Sequence, residues 1–290
     1  MNFIDISSWQ QGLDLAGLFG ANPDLDGVIV KLTQGTGYIN PEAASWLRWL
    51  TDSGKPFGTY HYLDGSGAEA EARHYADELK KWPGGVLALD YEDTVLTKGT
   101  GYLKAALDEV HRLTGIKPLV YCSQSVIQAQ DFTAISSAGY NLWMAQYADM
   151  ATVNGFLDKP WHKGSVAPFP AYVMQQYTSR GRLNGWDNNL DFDKFDGDIE
   201  KWAALAGSDT PAPEPAPVLK PVDPVIVHDV LSGDYGTGLE RFAKLTASGY
   251  DADAVQKKIN ELYAVALSCK KYVDGNMDYL NSICWIMRAL

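Results

Sequence analysis

The stretch Gly85-Val86-Leu87-Ala88-Leu89-Asp90-Tyr91-Glu92-Asp93 decides how the chain is read. Its apolar run has no polar break, the pattern of a strand buried on both faces. It then delivers two carboxylates two residues apart. Side chains alternate along a strand, so Asp90 and Glu92 share a face while Tyr91 takes the other. Burying two acids side by side is costly. Either chemistry uses them, or the strand simply ends in a solvated acidic loop.

Outward from this stretch, the chain alternates strands with helices. Asn2–Ile6, residues 27–33, 55–62, 117–122, 140–147, 171–177 and 189–193 read as further strands. Residues 41–53, ended by Gly54, residues 68–82, ended by Pro83-Gly84-Gly85, and residues 101–114 read as helices. Apolar strands alternating with helices predict an α/β fold with a parallel sheet, and eight strand candidates suggest a closed barrel. Connections after Gln146 are irregular, so the second half of such a barrel is expected to depart from the regular pattern. An open doubly wound sheet fits the same alternation.

Residues 207–224 interrupt the pattern, with six of the 14 prolines nearly alternating with small residues. Such a segment cannot build a core and favours an extended spacer. It divides the chain into a domain over 1–206, a linker over 207–224 and a second domain over 225–290. In the second, Val227, Val230 and Leu231, then Leu239, Phe242 and Leu245, then Val255, Ile259 and Leu262 recur at helical spacing. They predict a small three-helix bundle. Tyr279, Ile283, Trp285, Ile286 and Leu290 mark a tail helix that either completes the bundle or serves self-association.

Composition narrows the function. The net charge of −12, with no basic stripe, argues against nucleic acid as a partner. Three cysteines without ligand spacing and five scattered histidines offer no metal site, and no cofactor is expected. No apolar segment of membrane-spanning length occurs and no basic-then-apolar start marks a signal peptide, so a soluble protein made in the cytoplasm is expected. Neither a Gly-x-Ser-x-Gly elbow nor a histidine partner for Ser7, Ser8 or Cys122 is evident. Asp5, Asp90, Glu92 and Asp191 each stand at the C-terminal end of a predicted strand, and in a parallel barrel those ends share the face where active sites are built. Clustered negative charge raises a carboxyl's pKa and keeps it protonated. A proton donor beside a second acid, with 12% aromatic residues around it, is the chemistry of glycoside hydrolysis.

The motifs Phe3-Ile4-Asp5-Ile6-Ser7-Ser8-Trp9-Gln10, Val30-Lys31-Leu32-Thr33-Gln34-Gly35, Gly58-Thr59-Tyr60-His61-Tyr62, Leu89-Asp90-Tyr91-Glu92, Leu142-Trp143-Met144-Ala145-Gln146-Tyr147 and Gln176-Tyr177 to Leu190-Asp191 occur in this order. Together they resemble glycoside hydrolase family 25, the Chalaropsis-type lysozymes common among phage lysins, over roughly residues 1–200. The resemblance implies an irregular TIM-like β/α barrel and N-acetylmuramidase activity on bacterial peptidoglycan, exerted at the cell wall after release. It implies Glu92 as the general acid, Asp90 as the group that stabilises positive charge directly or through the substrate's acetamido group, and Asp5 and Asp191 as orienting acids. Tyr60, Tyr62, Tyr121 and Trp143 are then candidate sugar contacts, and Lys31 and Gln176 polar ones. The chain departs from the family in having Gln34 where Glu is frequent, and in residues 180–187, which align poorly. Gly233-Asp234-Tyr235-Gly236-Thr237-Gly238, Arg241 and Ala247-Ser248-Gly249-Tyr250-Asp251 resemble a cell-wall-binding repeat found behind some phage lysozymes. That implies a muropeptide-binding module with Arg241, Tyr250 and Asp251 as contacts. The competing readings are a hydrolase of another N-acetylated glycan such as chitin, and a wall-binding protein on an inactive barrel.

Overall fold

The computed structural model describes residues 1–207 and 220–262 except residue 253. The chain divides into two compact units, Met1–Ala212 and Pro213–Leu290. The expected tail helix over 268–290 and most of the proline-rich segment lie outside the described residues.

The strands of the first unit are β1 (Asn2–Ile6), β2 (Gly27–Gln34), β3 (Tyr38–Ile39), β4 (Phe57–Tyr62), β5 (Val86–Asp90), β6 (Leu119–Ser123), β7 (Leu142–Ala145), β8 (Val153–Asn154), β9 (Met174–Leu183) and β10 (Trp186–Phe195). Eight of them close a ring in the order β1-β2-β4-β5-β6-β7-β9-β10, with β10 returning to β1. Closure rules out the open sheet. The two-residue strands β3 and β8 attach to β2 and β9.

One expectation is overturned. From β1 through β9 all ring pairings are parallel, but β10 runs antiparallel to both β9 and β1. Asp191 therefore lies midway along a ten-residue strand, not at the C-terminal end of a parallel one. The reason is the tight turn at Asn184-Gly185, where Gly185 takes φ +92° and sends the chain straight back. Asn-Gly is a strong hairpin signal, and it lies inside the segment that aligned poorly.

Helices α1 (Leu15–Ala21), α2 (Ala43–Ser53), α3 (Ala68–Leu79), α4 (Thr100–Thr114), α5 (Gln124–Ala129) and α6 (Thr133–Ser137) occupy the connections as far as β7. The connection over 146–172 has none. α2 shows how sequence sets these elements: Ala43, Trp46, Leu47 and Leu50 form its buried stripe. Gly54, left-handed at φ +65°, then ends it by donating its N–H to carbonyls of the last turn. Helix α7 (Ile199–Leu205) closes the end of the barrel where the parallel strands begin. There the Trp202 ring centroid lies 4.2 Å from that of Phe3 and 5.1 Å from that of Phe195.

Strand alternation splits the core in two. On β5, Leu87 and Leu89, with Tyr91 just beyond it, pack outward with the helix layer, whereas Val86 and Ala88 pack inside the barrel.

In the second unit, α8 (Pro224–Ser232), α9 (Gly238–Ala247) and helical residues 254–262 bury Ile226, Val227, Val230, Leu245, Ala252, Val255 and Ile259 together. Asp223 caps α8 by accepting from the N–H groups of Val225 and Ile226, with Pro224 at its first position.

Candidate active site

The barrel interior is layered by the two-residue period of its strands. Phe3, Ile29, Val86, Leu119, Met174 and Phe195 form an apolar floor, and Tyr60, Ala88, Tyr121 and Trp143 complete the same cluster. Two residues further along β1, β2, β4, β5 and β9 stand Asp5, Lys31, Tyr62, Asp90 and Gln176. Because β10 is reversed, its acids precede the floor residue: Asp191 and Asp193 come before Phe195 and register against Asp5 and Phe3. All ten expected barrel-site residues line one cavity of about 480 Å³: Asp5, Lys31, Tyr60, Tyr62, Asp90, Glu92, Tyr121, Trp143, Gln176 and Asp191.

Glu92 joins Asp90 in that cavity because the backbone stays extended past the end of β5, with φ −148° and ψ 178° at Glu92. Tyr91 is anchored on the other side, its hydroxyl donating to Gln130 Oε1 at 2.8 Å. Asp93 then turns the chain at φ +55°, the one left-handed non-glycine among the described residues. Its Oδ2 accepts from the Tyr62 hydroxyl at 2.7 Å. This bond ties the kink behind Glu92 to the neighbouring strand.

Five carboxyls and one ammonium share this space, and they cannot all be ionised. Burial, then the negative charges of Asp93 and Asp5, push Glu92 up to about 6. Burial and the charge of Glu92 push Asp90 well above the usual carboxylate range, against the opposing pull of Lys31. Asp191 is pushed up to about 8 by burial and the charges of Asp5 and Glu92. Asp5 is raised to about 6 by burial, although hydrogen bonding moderates the shift. Lys31 is itself lowered by burial, while Asp90 and Glu92 favour its charged form. Its Nζ donates to Gln34 Oε1 at 2.7 Å and lies 4.4 Å from the Tyr62 ring centroid. With glutamine rather than glutamate at 34, the Lys31 charge is left to Asp90 and Glu92.

A hydrogen-bonded chain fixes Asp5. The Tyr121 hydroxyl donates to Gln176 Oε1 at 2.8 Å, the Tyr147 hydroxyl donates to the same oxygen, and Gln176 Nε2 donates to Asp5 Oδ2 at 2.6 Å. Trp143 is nearly buried and spends its indole N–H on Asp193 Oδ1 at 2.8 Å. It therefore presents only its ring to the cavity.

Asp193 was not foreseen. It is fully buried beside Asp5, and burial together with the Asp5 charge pushes it well above the usual range, so that its proton can bridge to the Asp5 carboxylate. Its sequence signal was present: Asp191 and Asp193 stand two apart on one strand, as Asp90 and Glu92 do. Trp9, Gln34 and Tyr147 also line the cavity without having been singled out for a role.

In the second unit the three expected contacts have structural partners. Arg241 Nε donates to the Gly236 carbonyl at 3.0 Å, and its Nη1 donates to Gln256 Oε1 at 3.2 Å. Asp251 Oδ1 accepts the N–H of Ala254 at 2.9 Å, capping the helical residues 254–262. Tyr250 is half-buried beneath Lys220, whose Nζ lies 5.2 Å from its ring centroid.

Comparison with known proteins follows the same division. The sequence model of Glycosyl hydrolases family 25 matches residues 4–186, and that of the CW_7 repeat matches residues 225–263. A lysozyme of Streptococcus phage Cp-7 is 28% identical over 273 residues, covering 90% of this chain and 69% of the phage protein. The N,O-diacetylmuramidase of Chalaropsis sp is 31% identical over 140 residues, covering 42% of this chain and 65% of that protein. Among solved structures, the catalytic domain of endolysin ply40 from bacteriophage P40 of Listeria monocytogenes superposes with a TM-score of 0.58 at 27% identity, over 72% of this chain and 98% of that one.

Proposed function

The chain belongs to glycosyl hydrolase family 25 and is a glycoside hydrolase; from that premise we propose that it is an N-acetylmuramidase, cutting the β-1,4 bond from N-acetylmuramic acid to N-acetylglucosamine in bacterial peptidoglycan. The observation that carries this reading is the Asp90–Glu92 pair, two acids on one face of a walled cavity with Glu92 held near 6. A carboxyl poised there is protonated in a useful fraction near neutral pH.

In this reading Glu92 gives its proton to the glycosidic oxygen as the bond from C1 breaks. Positive charge then grows on the sugar ring. Asp90 meets that charge as its anion, which Lys31 and the growing positive charge favour against burial, or it holds the acetamido N–H that shields it. Its buried Oδ1 has no protein partner and is suited to accept such a donor. Asp5, braced by Gln176 and raised only to about 6, supplies negative charge beside Glu92 near neutral pH, while Asp191 across the strand pair, raised to about 8, is then largely protonated. Water then adds at C1, and the proton it releases restores the carboxylic acid of Glu92.

The C-terminal repeat serves as the wall-binding element, bringing the hydrolase to its polymer. A single module gains most from tethering, since the linked site sees a high effective concentration of substrate.

Digestion of purified cell walls tests the proposal. New reducing ends on muramic acid, absent with Glu92→Gln, support it. Reducing ends on glucosamine, or equal turnover by that variant, would overturn it. Deleting residues 220–290 should weaken retention on sedimented walls while sparing cleavage of soluble glycan strands.

A further inference from the structure

Trp9 is 90% exposed, whereas Trp46, Trp143 and Trp202 are each buried to within 4%. An indole is among the largest apolar surfaces a side chain offers, and leaving it in water forgoes that burial. The Trp9 backbone is nevertheless set in a defined turn. Ser7 and Gln10 form a reciprocal cap around the short helix Ser8–Gln10, directly after the strand that carries Asp5. Its ring lines the same cavity as Asp90 and Glu92.

It is not alone at this edge. Tyr38 and Ile39, the residues of β3, are exposed at 39% and 45%. The Tyr38 hydroxyl donates to Ser8 Oγ at 3.3 Å, and its carbonyl is engaged by His74 Nε2 at 2.9 Å. The Tyr38–Ser8 hydrogen bond ties the β2–β3 hairpin and the Ser8–Gln10 turn into one rim, on which Tyr38 and Trp9 are exposed aromatic residues. It continues outward from an otherwise acidic cavity, with Lys31 between the rings of Tyr62 and Tyr38.

We propose that Trp9, backed by Tyr38, is a sugar-stacking platform outside the catalytic position, taking the apolar face of a pyranose ring of the N-acetylated glycan strand. The inference rests on the muramidase reading and adds to it a named binding surface. A strand threading to Asp90 and Glu92 extends beyond the bond being cut, and Trp9 lines the cavity that holds both acids. Pyranose rings present C–H faces that pack on aromatic rings, whereas an acidic rim alone offers nothing to them. The capped turn fixes the Trp9 backbone at this edge, so that only the side-chain rotamer has to be ordered on binding.

Steady-state kinetics of the full-length chain on peptide-free glycan strands tests the platform. Trp9→Ala should raise KM about tenfold with kcat within twofold, a loss of about 1.4 kcal/mol in binding; Trp9→Tyr should restore most of it. Melting should be unchanged, since the side chain packs on little. An unchanged KM in the alanine variant, or a fall in kcat alone, would overturn the platform while leaving the muramidase reading intact. An effect seen only on strands that retain their stem peptides would overturn it too, by assigning the surface to peptide. If the unaltered protein cuts no glycan strand, the functional reading fails first, and this inference falls with it.

Discussion

The two ends of the barrel interior are built on the same strands and obey opposite rules. At the floor, Phe3, Ile29, Leu119 and Phe195 exclude water and pack against Trp202. Two residues along β1 and β10, Asp5 and Asp193 are as buried as the floor yet carry groups that burial disfavours. The floor gains stability from every contact. The mouth gives some of it back, because each neutralised acid there was held away from its ordinary ionisation. One end holds the fold and the other holds the protons.

The sharpest way to break this contrast is at Glu92. Glu92→Gln should lower kcat roughly 10³-fold, the scale of a lost general acid, as read on purified walls. The same variant should be more stable. A carboxyl raised from 4.5 to about 6 binds more protons folded than unfolded, so stability falls as pH rises through that interval. Chemical denaturation should show the variant ahead by about 2 kcal/mol above pH 6, with no difference near pH 4, where both states are protonated. Loss of stability at pH 7 would sink the idea that Glu92 is held under electrostatic strain.

Trp202→Ala attacks the other end. It should cost about 3–5 kcal/mol in denaturant melts, while the pH dependence of kcat in the surviving folded fraction stays in place. A shifted profile would mean that floor and mouth are coupled.

Asp193 lies between the two ends and separates volume from charge. Asp193→Asn keeps the shape and the acceptor for the Trp143 indole, and should raise the thermal midpoint at pH 7 by a few degrees while removing part of the fall in stability with rising pH. Asp193→Leu strands that indole N–H and should melt lower. The smallest effect is expected at Lys31. Lys31→Met removes the cation that lowers Glu92 and Asp90, so the alkaline limb of kcat/KM should move upward. A downward move would reverse the sign assigned to the pair.

Much of this was legible in the chain because the relevant pattern is local. The run Val86–Leu89 identifies a doubly buried strand, and alternation alone puts Asp90 and Glu92 on one face. What escaped was direction. A strand pairing antiparallel carries the same period of two as a parallel one, so Asp191 was expected at the right rim for the wrong reason. Only the Asn184-Gly185 turn marks the reversal. Asp193 escaped because its neighbours across β1 and β9 come from nearly 200 residues away and from a strand whose register no local pattern gives. Trp9 escaped because exposure depends on what fails to pack over a residue, and no stretch of sequence records that.

The closure of the ring has a consequence in time. One partner of β1 is β2, close by in sequence, but the other is β10, and Asp5 lies opposite Asp191 only when that pairing forms. Contacts so distant along the chain are slow to assemble. During synthesis the first strand must therefore wait with one edge unpaired until nearly the whole hydrolase unit has emerged. A nascent or truncated chain holds Asp90 and Glu92 but lacks the wall opposite them. The acid cluster is an assembly signal as well as a reaction centre: it comes together only in a finished barrel.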